Sequence, residues 1–199
     1  MYLARRRYTL DPARVDEVAR GAQGVVPLVR AVRGFVAYYL VKTADGASSI
    51  SVFETRAQVD ESNVVAAEYI KQHLAAALPN PPQVIPGEVL VYAHNPAAAA
   101  NKDRLYVVRR DYTVPGSIDR IAQQSREGFV PIISQAPGFV EYFVVRTPAG
   151  LSSLTFFEEQ AQAEESTPQA VQWLKENLAG LVPNPADVRV GEVVLHAHR

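Results

Sequence analysis

The sequence of 199 residues contains no cysteine, which excludes disulfide bonds, thiolate metal centres and a cysteine nucleophile. It also lacks a surplus of charge, because 20 Lys and Arg stand against 21 Asp and Glu. Since proteins that coat nucleic acid depend on excess basic residues, we expect no nucleic-acid partner. No apolar run approaches the roughly 18 residues that cross a bilayer, and no apolar signal core follows the basic residues 1–7. Together these absences predict a globular, cytoplasmic protein with no membrane partner.

Phosphate-binding loops are missing as well. Neither G-x-G-x-x-G nor G-x-x-x-x-G-K-[ST] occurs, so dinucleotide and nucleoside triphosphate cofactors are not indicated. The serine pairs at 48–49 and 152–153 lack the G-x-S-x-G surroundings of a nucleophilic serine. We therefore expect no cofactor.

What the sequence does contain is a duplication. Gly34-Phe35-Val36 recurs 104 residues later as Gly138-Phe139-Val140, and Pro79-Asn80-Pro81 recurs at the same spacing as Pro183-Asn184-Pro185. The two copies align without a gap, and two copies are too few for a solenoid.

The repeat predicts the domain organisation. Residues 1–95 form a first module and residues 104–199 a second. Residues 96–103 between them lack apolar periodicity, so we interpret them as a linker.

Four strands are predicted in each copy. Alternating or Val- and Tyr-rich segments predict them in the first copy at 2–9, at 35–43, in a hairpin partner ending at 54, and at 88–94. The second copy repeats them at 106–113, at 139–147, up to 158, and at 192–198.

Two helices are predicted in each copy. The first follows strand one and begins near Pro12 in one copy and near Pro115-Gly116 in the other. The second is predicted over about 63–78, with its mate over about 168–182, because Pro168 suits a helix start and Ser166 has capping-box spacing to Gln169.

The resulting order β-α-β-β-α-β is that of a ferredoxin-like α+β module, with an antiparallel sheet and both helices on one face. Both phases of the fourth strand are apolar, which indicates that both faces of the sheet are buried. We therefore predict two tandem ferredoxin-like modules packed as an intramolecular dimeric α/β barrel of eight strands.

At this point the chain resembles the antibiotic-biosynthesis-monooxygenase-like family of the dimeric α/β-barrel superfamily. The resemblance rests on three features of each copy: the proline and Gly-Phe before strand two, the Phe-Glu end of strand three and the Gly-Glu-Val start of strand four. In the first copy these are Pro27 with Gly34-Phe35, Phe53-Glu54 and Gly87-Glu88-Val89. The resemblance implies a fused tandem version, with cofactor-free quinol or polyketide oxygenation, haem breakdown, or aldoxime or chlorite chemistry among the family's activities.

Two residue patterns of the family are not kept. The resemblance implies an Asn-x-x-x-Trp pattern on the second helix, as in the family's polyketide oxygenases. At this spacing the chain has Gln169 before Trp173 and Val65 before Tyr69. Its haem-degrading members place a histidine about three turns after a helix tryptophan, where this chain has Pro183.

The arginine pairs of strand one are candidate ligand-binding residues. Arg6 and Arg110 are repeat mates, and one arginine of each pair must face a buried side, since neighbouring side chains alternate. Two interpretations stay open: a salt bridge to the repeated Glu54, Glu158, Glu88 or Glu192, which we favour, or an anionic ligand such as an enolate or carboxylate.

Aromatic residues predict a pocket in the barrel lumen, with Tyr69 and its mate Trp173 as walls. Trp173, His196 and Glu141 occur only in the second copy, so we expect a functional pocket there. Filling of an ordinary core by aromatics is the alternative.

Two histidines, His196 and His198, lie on one strand face and with His94 and Glu192 could bind a metal. A polar strand end is the alternative, and we expect no metal.

Two functions are compatible with these features. The first is a cofactor-independent monooxygenase-like enzyme acting on phenolic or polyketide-like compounds, in which a histidine or water deprotonates the substrate and Arg6 or Arg110 holds the anion. The second is a non-catalytic small-molecule-binding or assembly protein with the same barrel. A fused barrel can still pair with a second copy as a homodimer.

Overall fold

The structure, a computed structural model, describes residues 1–99, 104–114, 116–178, 180–182 and 187–199. Part of the predicted linker (100–103), the predicted helix start at Pro115 and the predicted turn at 183–185 lie outside these ranges. The chain forms two compact units, one made of Met1–Glu88 with Val193–Arg199 (unit 1) and the other of Val89–Glu192 (unit 2).

Unit 1 follows the predicted element order. Its elements are β1 (Tyr2–Thr9), α1 (Val15–Ala22), α2 (Val25–Ala31), β2 (Phe35–Thr43), β3 (Gly46–Phe53), α3 (Arg56–His73) and the first half of β4 (Gln83–His94). Alternation and β-branched content gave the bounds of β1 and β2 closely, whereas β4 begins at Gln83, five residues before its predicted start at 88. Pro12 opens a short 3₁₀ turn before α1, where the missing N–H of proline costs least.

Unit 2 repeats this order with two additions, a short helix and a π-helical turn. Its elements are the second half of β4, α4 (Pro96–Ala99), β5 (Leu105–Tyr112), α5 (Ile118–Gln124), a π-helical turn (Ser125–Phe129), α6 (Val130–Ile133), β6 (Phe139–Thr147), β7 (Gly150–Phe157), α7 (Gln160–Asn177) and the first half of β8 (Asp187–His198). The π-helical turn joins α5 to α6 without a break, whereas α1 and α2 of unit 1 are separate helices.

The predicted start of the second helix in each copy is wrong. In unit 1, α3 begins at Arg56 behind the capping box of Thr55 and Gln58. In unit 2, α7 begins at Gln160, so Pro168 lies inside the helix and not at its start. The early turns of α7 bury small residues, Ala163 and Ser166, which carry too little hydrophobicity for the helical period to be seen in the sequence.

Within the described ranges, eight strands follow the hydrogen-bonded order β1-β3-β2-β8-β5-β7-β6-β4, which closes as a barrel. Antiparallel pairs join β1 to β3 and β4, β2 to β3, and β7 to β5 and β6. The predicted ferredoxin-like α+β topology and eight-stranded α/β barrel are confirmed.

Each unit has a core between its helices and one face of its sheet. In unit 1 this core contains Val18, Val29 and Ala66 of the helices with Tyr38 of the sheet. The core of unit 2 places Ile121, Phe129, Ala170 and Trp173 against Tyr142 and Val144. The opposite sheet faces are buried too, as at Tyr39, Phe143 and Phe156. Burial of both faces agrees with the two apolar phases expected of the strands.

The compact units and the sequence repeat divide the chain differently. Both long strands, β4 and β8, begin in one unit and end in the other. The division into modules 1–95 and 104–199 therefore stays a prediction about the duplicated ancestor.

No helix among the described residues is long and apolar enough to span a bilayer.

Candidate functional site

Each unit contains a cavity between its sheet and its helices. The empty space within the lining of the unit 2 cavity, counted together with the solvent at its opening, is about 400 Å³, and that of unit 1 is about 390 Å³. Both are lined mainly by apolar and aromatic side chains with a few polar groups, as small-molecule sites are. Both cavities lie on the helix side of a sheet, whereas the sequence placed the pocket in the barrel lumen, and the lumen pocket stays a prediction.

Arg110 is the charged group of the unit 2 cavity. It lies on β5 opposite Ser153 of β7 and is 1% exposed. Its Nη2 donates to Ser166 Oγ at 2.7 Å and to Thr167 Oγ1 at 2.9 Å, and its Nη1 donates to Thr155 Oγ1 at 3.3 Å. Its Nε is buried and has no hydrogen-bond partner in the described chain. Burial lowers the pKa of the guanidinium, since an apolar environment disfavours the charged form.

Arg6 is the matching residue of unit 1. It is 3% exposed, and it donates to Ser51 Oγ at 3.0 Å and to Ser62 Oγ at 3.4 Å. Burial lowers its pKa as well. Unit 1 therefore keeps the arginine but holds it with fewer and longer hydrogen bonds than unit 2.

The favoured salt bridge between these arginines and the repeated glutamates is wrong. Glu54 pairs with Arg199 at 2.6 Å, and Glu192 pairs with Arg104 at 3.4 Å, whereas Arg6 and Arg110 bond to neutral hydroxyls. Glu54 and Glu158 follow the ends of β3 and β7, and Glu88 and Glu192 lie within β4 and β8, whereas the arginines lie in mid-strand under the helices. The other interpretation, an anionic ligand, is thus the one that the site leaves open.

Two tyrosines accompany each arginine. Tyr112 and Tyr142 line the cavity of unit 2, and their repeat mates Tyr8 and Tyr38 line that of unit 1. Burial raises the pKa of all four phenols, and the neighbouring guanidinium opposes this without overcoming it. The tyrosines are therefore neutral at physiological pH.

Trp173 forms a wall of the unit 2 cavity. It is 9% exposed and packs on Phe129 with ring centroids 5.3 Å apart. Phe129 and Ser125, which also line the cavity, both belong to the π-helical turn. Such turns interrupt the regular helix and occur frequently at functional sites.

Tyr69, the repeat mate of Trp173, does not line the described cavity of unit 1. Its Oη donates to the backbone oxygen of Gly21 at 2.8 Å, and its ring packs on His73 at 4.5 Å. Gly21 stands where unit 2 has Ser125, so unit 1 lacks both the tryptophan wall and this cavity hydroxyl.

Glu141 lies on the face of β6 opposite to that of Tyr142, which lines the cavity. It follows a register shift at Phe139, and it is 1% exposed. Tyr92 Oη donates to Glu141 Oε1 at 3.3 Å, and burial together with this carboxylate raises the pKa of Tyr92. Glu141 is thus separated by the sheet from the cavity that Trp173 lines.

His196 and His198 belong to the half of β8 in unit 1, with ring centroids 5.5 Å apart. The structure thus does not bring His196, Glu141 and Trp173 together in one unit. Among the described residues, no three His, Asp or Glu side chains are grouped as metal ligands.

Haem, which the family resemblance includes, does not fit the unit 2 cavity. Its described lining contains no histidine, cysteine or methionine, the common axial ligands.

The sequence analysis named Arg110 and Trp173 as candidate ligand-binding residues, but it did not name the residues that lie between them in the cavity. The signal was present: Arg-x-Tyr occurs on strand one of both copies, at Arg6-x-Tyr8 and Arg110-x-Tyr112, and alternation places both side chains on one face. The helix hydroxyls Ser166 and Thr167 could not be found, since the start of α7 was misplaced.

Comparison with known sequences identifies no relative: no family model matches the chain, and no curated protein matches it.

Solved structures share the fold. A candidate monooxygenase from Fusobacterium nucleatum superimposes with a TM-score of 0.74 at 7% identity, covering 100% of this chain and 94% of that one. A second candidate monooxygenase, from Lactobacillus acidophilus, gives a TM-score of 0.70 at 11% identity, covering 99% and 95%. An anthrone oxidase-like protein gives 0.62 at 14% identity, covering 99% and 92%. At these identities the likeness establishes the common fold, and function has to be argued from the site.

Proposed function

We propose that the chain is a cofactor-independent monooxygenase-like enzyme, related to the antibiotic-biosynthesis-monooxygenase-like family, that oxidises phenolic or polyketide-like compounds in the unit 2 cavity. The observation that carries the proposal is Arg110, a guanidinium 1% exposed with only neutral hydroxyl partners at the wall of an aromatic cavity. A buried charge without a counterion is costly, and an anionic ligand would remove that cost. The candidate monooxygenases with the same fold support the reaction type.

The chemistry needs only the substrate anion and dioxygen. The substrate loses a proton to water, since the described cavity lining offers no histidine or carboxylate, and Arg110 stabilises the negative charge that develops. An electron passes from the anion to O₂, and the substrate radical and superoxide combine into a C–O bond. The resulting peroxide anion takes a proton back from water and becomes a hydroperoxide. Loss of water leaves a carbonyl group, so a CH₂ group and O₂ become C=O and H₂O. Trp173 and Phe129 keep bulk water away from the anion.

A hydroxyanthrone tests the proposal, because its CH₂ group is acidic and its product is a coloured quinone. Oxygen uptake and quinone absorbance are followed with metal chelator present, for the wild type, Arg110→Met and Arg6→Met. We expect Arg110→Met to lose about 10²-fold or more in turnover, as when a donor to a developing anion is removed. Arg6→Met, with the matching change in unit 1, should stay within a few-fold of the wild type. Quinone formation at the uncatalysed rate, or equal losses in both variants, would contradict the proposal.

The second candidate is a non-catalytic binding protein, and the absence of a histidine or carboxylate from the described cavity lining favours it. In that case the hydroxyanthrone would quench the fluorescence of Trp173, the single tryptophan, without any oxygen uptake.

We also propose that a small molecule is the partner of the cavity, that the protein works in the cytoplasm, and that it forms a homodimer. The ground for the homodimer is general, since closed twofold pairs are the commonest assemblies of identical chains. Light scattering of the purified chain measures the mass that decides this point.

A further inference from the structure

The unit 1 cavity differs from the unit 2 cavity in the wall that its helices form. Every described lining residue of this wall in unit 1 is aliphatic; they include Val18, Ala22, Val25, Ala66, Ile70 and Leu74. The corresponding wall of unit 2 contains the rings of Phe129 and Trp173 and the hydroxyl of Ser125. The two cavities therefore offer different surfaces to a ligand, aliphatic in unit 1 and partly aromatic in unit 2.

Three substitutions between the repeats produce this difference. Gly21 stands where unit 2 has Ser125, Val25 stands where it has Phe129, and Tyr69 replaces Trp173. The Tyr69 hydroxyl donates to the backbone oxygen of Gly21 at 2.8 Å, and its ring is not part of the described lining. The wall of unit 1 thus has no ring against which a planar ligand would stack.

The sheet side of the unit 1 cavity is polar, in contrast to its helix side. Apart from Leu40, the described lining residues of the sheet are Arg6, Tyr8, Tyr38 and Ser49. Burial raises the pKa of both phenols, so the tyrosines are neutral and Arg6 supplies the charge of the cavity. A ligand that matches both sides has an aliphatic body and one negatively charged end.

The guanidinium of Arg6 has donors left for such an end. It donates to Ser51 Oγ at 3.0 Å and to Ser62 Oγ at 3.4 Å, and a guanidinium carries five N–H groups. Both partners are neutral hydroxyls, which accept hydrogen bonds but do not balance the charge. Arginine binds carboxylates well, because its planar fork matches their two oxygens.

The aliphatic wall also sets the length of the ligand. Ala66, Ile70 and Leu74 follow one another at intervals of four residues, which places them in a row along one side of the helix. With a rise of about 1.5 Å per residue, the row is about 12 Å long. An extended octanoate has a similar length.

We infer that the unit 1 cavity is a second ligand site, which binds a saturated medium-chain carboxylate with its chain along the aliphatic helix wall and its carboxylate on the side of Arg6. Such an acid is ionised at neutral pH before it binds, so the site transfers no proton. It has no acidic CH₂ group next to a ring, so it is a bound ligand and not a substrate of the oxidation proposed for unit 2.

The chain and the charge are tested with octanoate, hexanoate and octan-1-ol, each titrated into the wild-type protein by calorimetry at pH 7. We expect one octanoate to bind without a change in the emission of Trp173, which lines the other cavity. Hexanoate should bind about tenfold more weakly, because each buried CH₂ contributes about fourfold to the binding constant. Equal affinities for the two acids, or for octanoate and octan-1-ol, would overturn the inference.

The place of the ligand is tested with a matched pair of substitutions. Ala66 and its repeat mate Ala170 line the two cavities, and each is 5% exposed. Ala66→Phe puts a ring into the space for the chain, so we expect octanoate binding to be lost. Ala170→Phe should leave it unchanged. Binding that survives Ala66→Phe, or that Ala170→Phe abolishes, would contradict a site in unit 1.

Val25→Phe decides the question if Ala66→Phe does not fold by circular dichroism. It gives unit 1 the ring that Phe129 provides in unit 2, and the displaced chain contacts should weaken octanoate binding by about tenfold. Phe129→Val is its control and should leave the affinity for octanoate unaltered. The same affinity in Val25→Phe as in the wild type would count against the aliphatic wall as the binding surface.

The role of the arginine is tested with Arg6→Met, which we expect to weaken octanoate binding by about tenfold or more, as when a hydrogen bond to a charged group is lost. Arg110→Met is the control and should bind octanoate like the wild type. An unaltered affinity in Arg6→Met would contradict the place given to the carboxylate. Octanoate binding without oxygen uptake from hydroxyanthrone would contradict only the oxygenase of unit 2, and oxygen uptake without octanoate binding would contradict only this second site.

Discussion

At the scale of single residues, the molecule stabilises two buried arginines with hydroxyl groups. Removing a guanidinium from water is costly, and a neutral hydroxyl recovers only part of that cost. The two units differ in how much they recover, since Arg110 has three hydroxyl partners and Arg6 has two. We interpret the tighter arrangement in unit 2 as one that fixes the orientation of Arg110 toward the cavity.

Ser166→Ala tests this difference. Ser166 accepts from Arg110 at 2.7 Å, and the substitution leaves a buried charged donor with one acceptor fewer. We expect the free energy of unfolding, measured in urea, to fall by about 1–3 kcal/mol. Ser62→Ala is the matched control, because its bond to Arg6 is 3.4 Å long and both serines also donate to a helix carbonyl. A loss at Ser62 as large as that at Ser166 would speak against a stronger anchoring of Arg110.

At the scale of elements, the two units diverge in the helical segment that faces the second long helix. Unit 2 inserts the π-helical turn Ser125–Phe129 beside Trp173, whereas unit 1 separates α1 from α2 and bonds Tyr69 to Gly21. A glycine stands under each aromatic ring, Gly128 under Trp173 and Gly24 under Tyr69. The same architecture thus produces a tryptophan wall in one unit and a tyrosine bonded to the helix backbone in the other.

Gly128→Ala should move this wall. A methyl group at 128 would lie 2.9 Å from Trp173 Cζ2, closer than carbon atoms approach, so the indole has to shift. We expect a changed Trp173 emission spectrum and about tenfold weaker binding of the hydroxyanthrone, a loss of about 1.4 kcal/mol. Stability should change little, because alanine favours the helix over glycine by about 1 kcal/mol.

Gly24→Ala is the control for that substitution. Its methyl group would lie 2.2 Å from Tyr69 Oη and disturb the bond to Gly21. It should lower stability without changing the emission of Trp173. Unchanged emission in Gly128→Ala would contradict the proposed position of the indole.

At the scale of the whole molecule, buried phenols link stability to alkaline pH. Burial raises the pKa of five tyrosines: Tyr8, Tyr38, Tyr92, Tyr112 and Tyr142. In the unfolded chain these phenols ionise near pH 10. Above that pH the unfolded state has lost protons that the folded state keeps, so the free energy of unfolding decreases as pH rises.

We predict that the free energy of unfolding does not depend on ionisation of these tyrosines below about pH 9 and falls steeply above about pH 10. Tyr142→Phe removes one of the raised groups, so its slope should be smaller by up to about 1.4 kcal/mol per pH unit. Urea unfolding at a series of pH values measures both slopes. Parallel slopes for the wild type and the variant above pH 10 would show that Tyr142 is not held neutral by the fold.

Much of the architecture was readable from the sequence. Alternation located β1, β2 and β6, and the duplication allowed each assignment to be made twice, so the ferredoxin-like order was secure. The start of α7 could not be predicted from hydrophobic periodicity, because small residues such as Ala163 and Ser166 form its buried face. Of the candidate residues named from the sequence, Arg110 and Trp173 line the unit 2 cavity, Glu141 does not line it, and His196 belongs to unit 1.

By itself the sequence determined the topology, since strand alternation, turn residues and repetition are patterns that can be recognised along the linear sequence. Only the tertiary structure decided which face of each sheet holds a cavity, and that the partners of Arg110 are hydroxyls of β7 and α7 and not the repeated glutamates. Those partners lie 45 to 57 positions away along the chain, and two of them are on a helix whose register the local pattern did not reveal. Contacts of this kind depend on how a helix is rotated against a sheet, and that rotation is set by packing and not by the period of one segment.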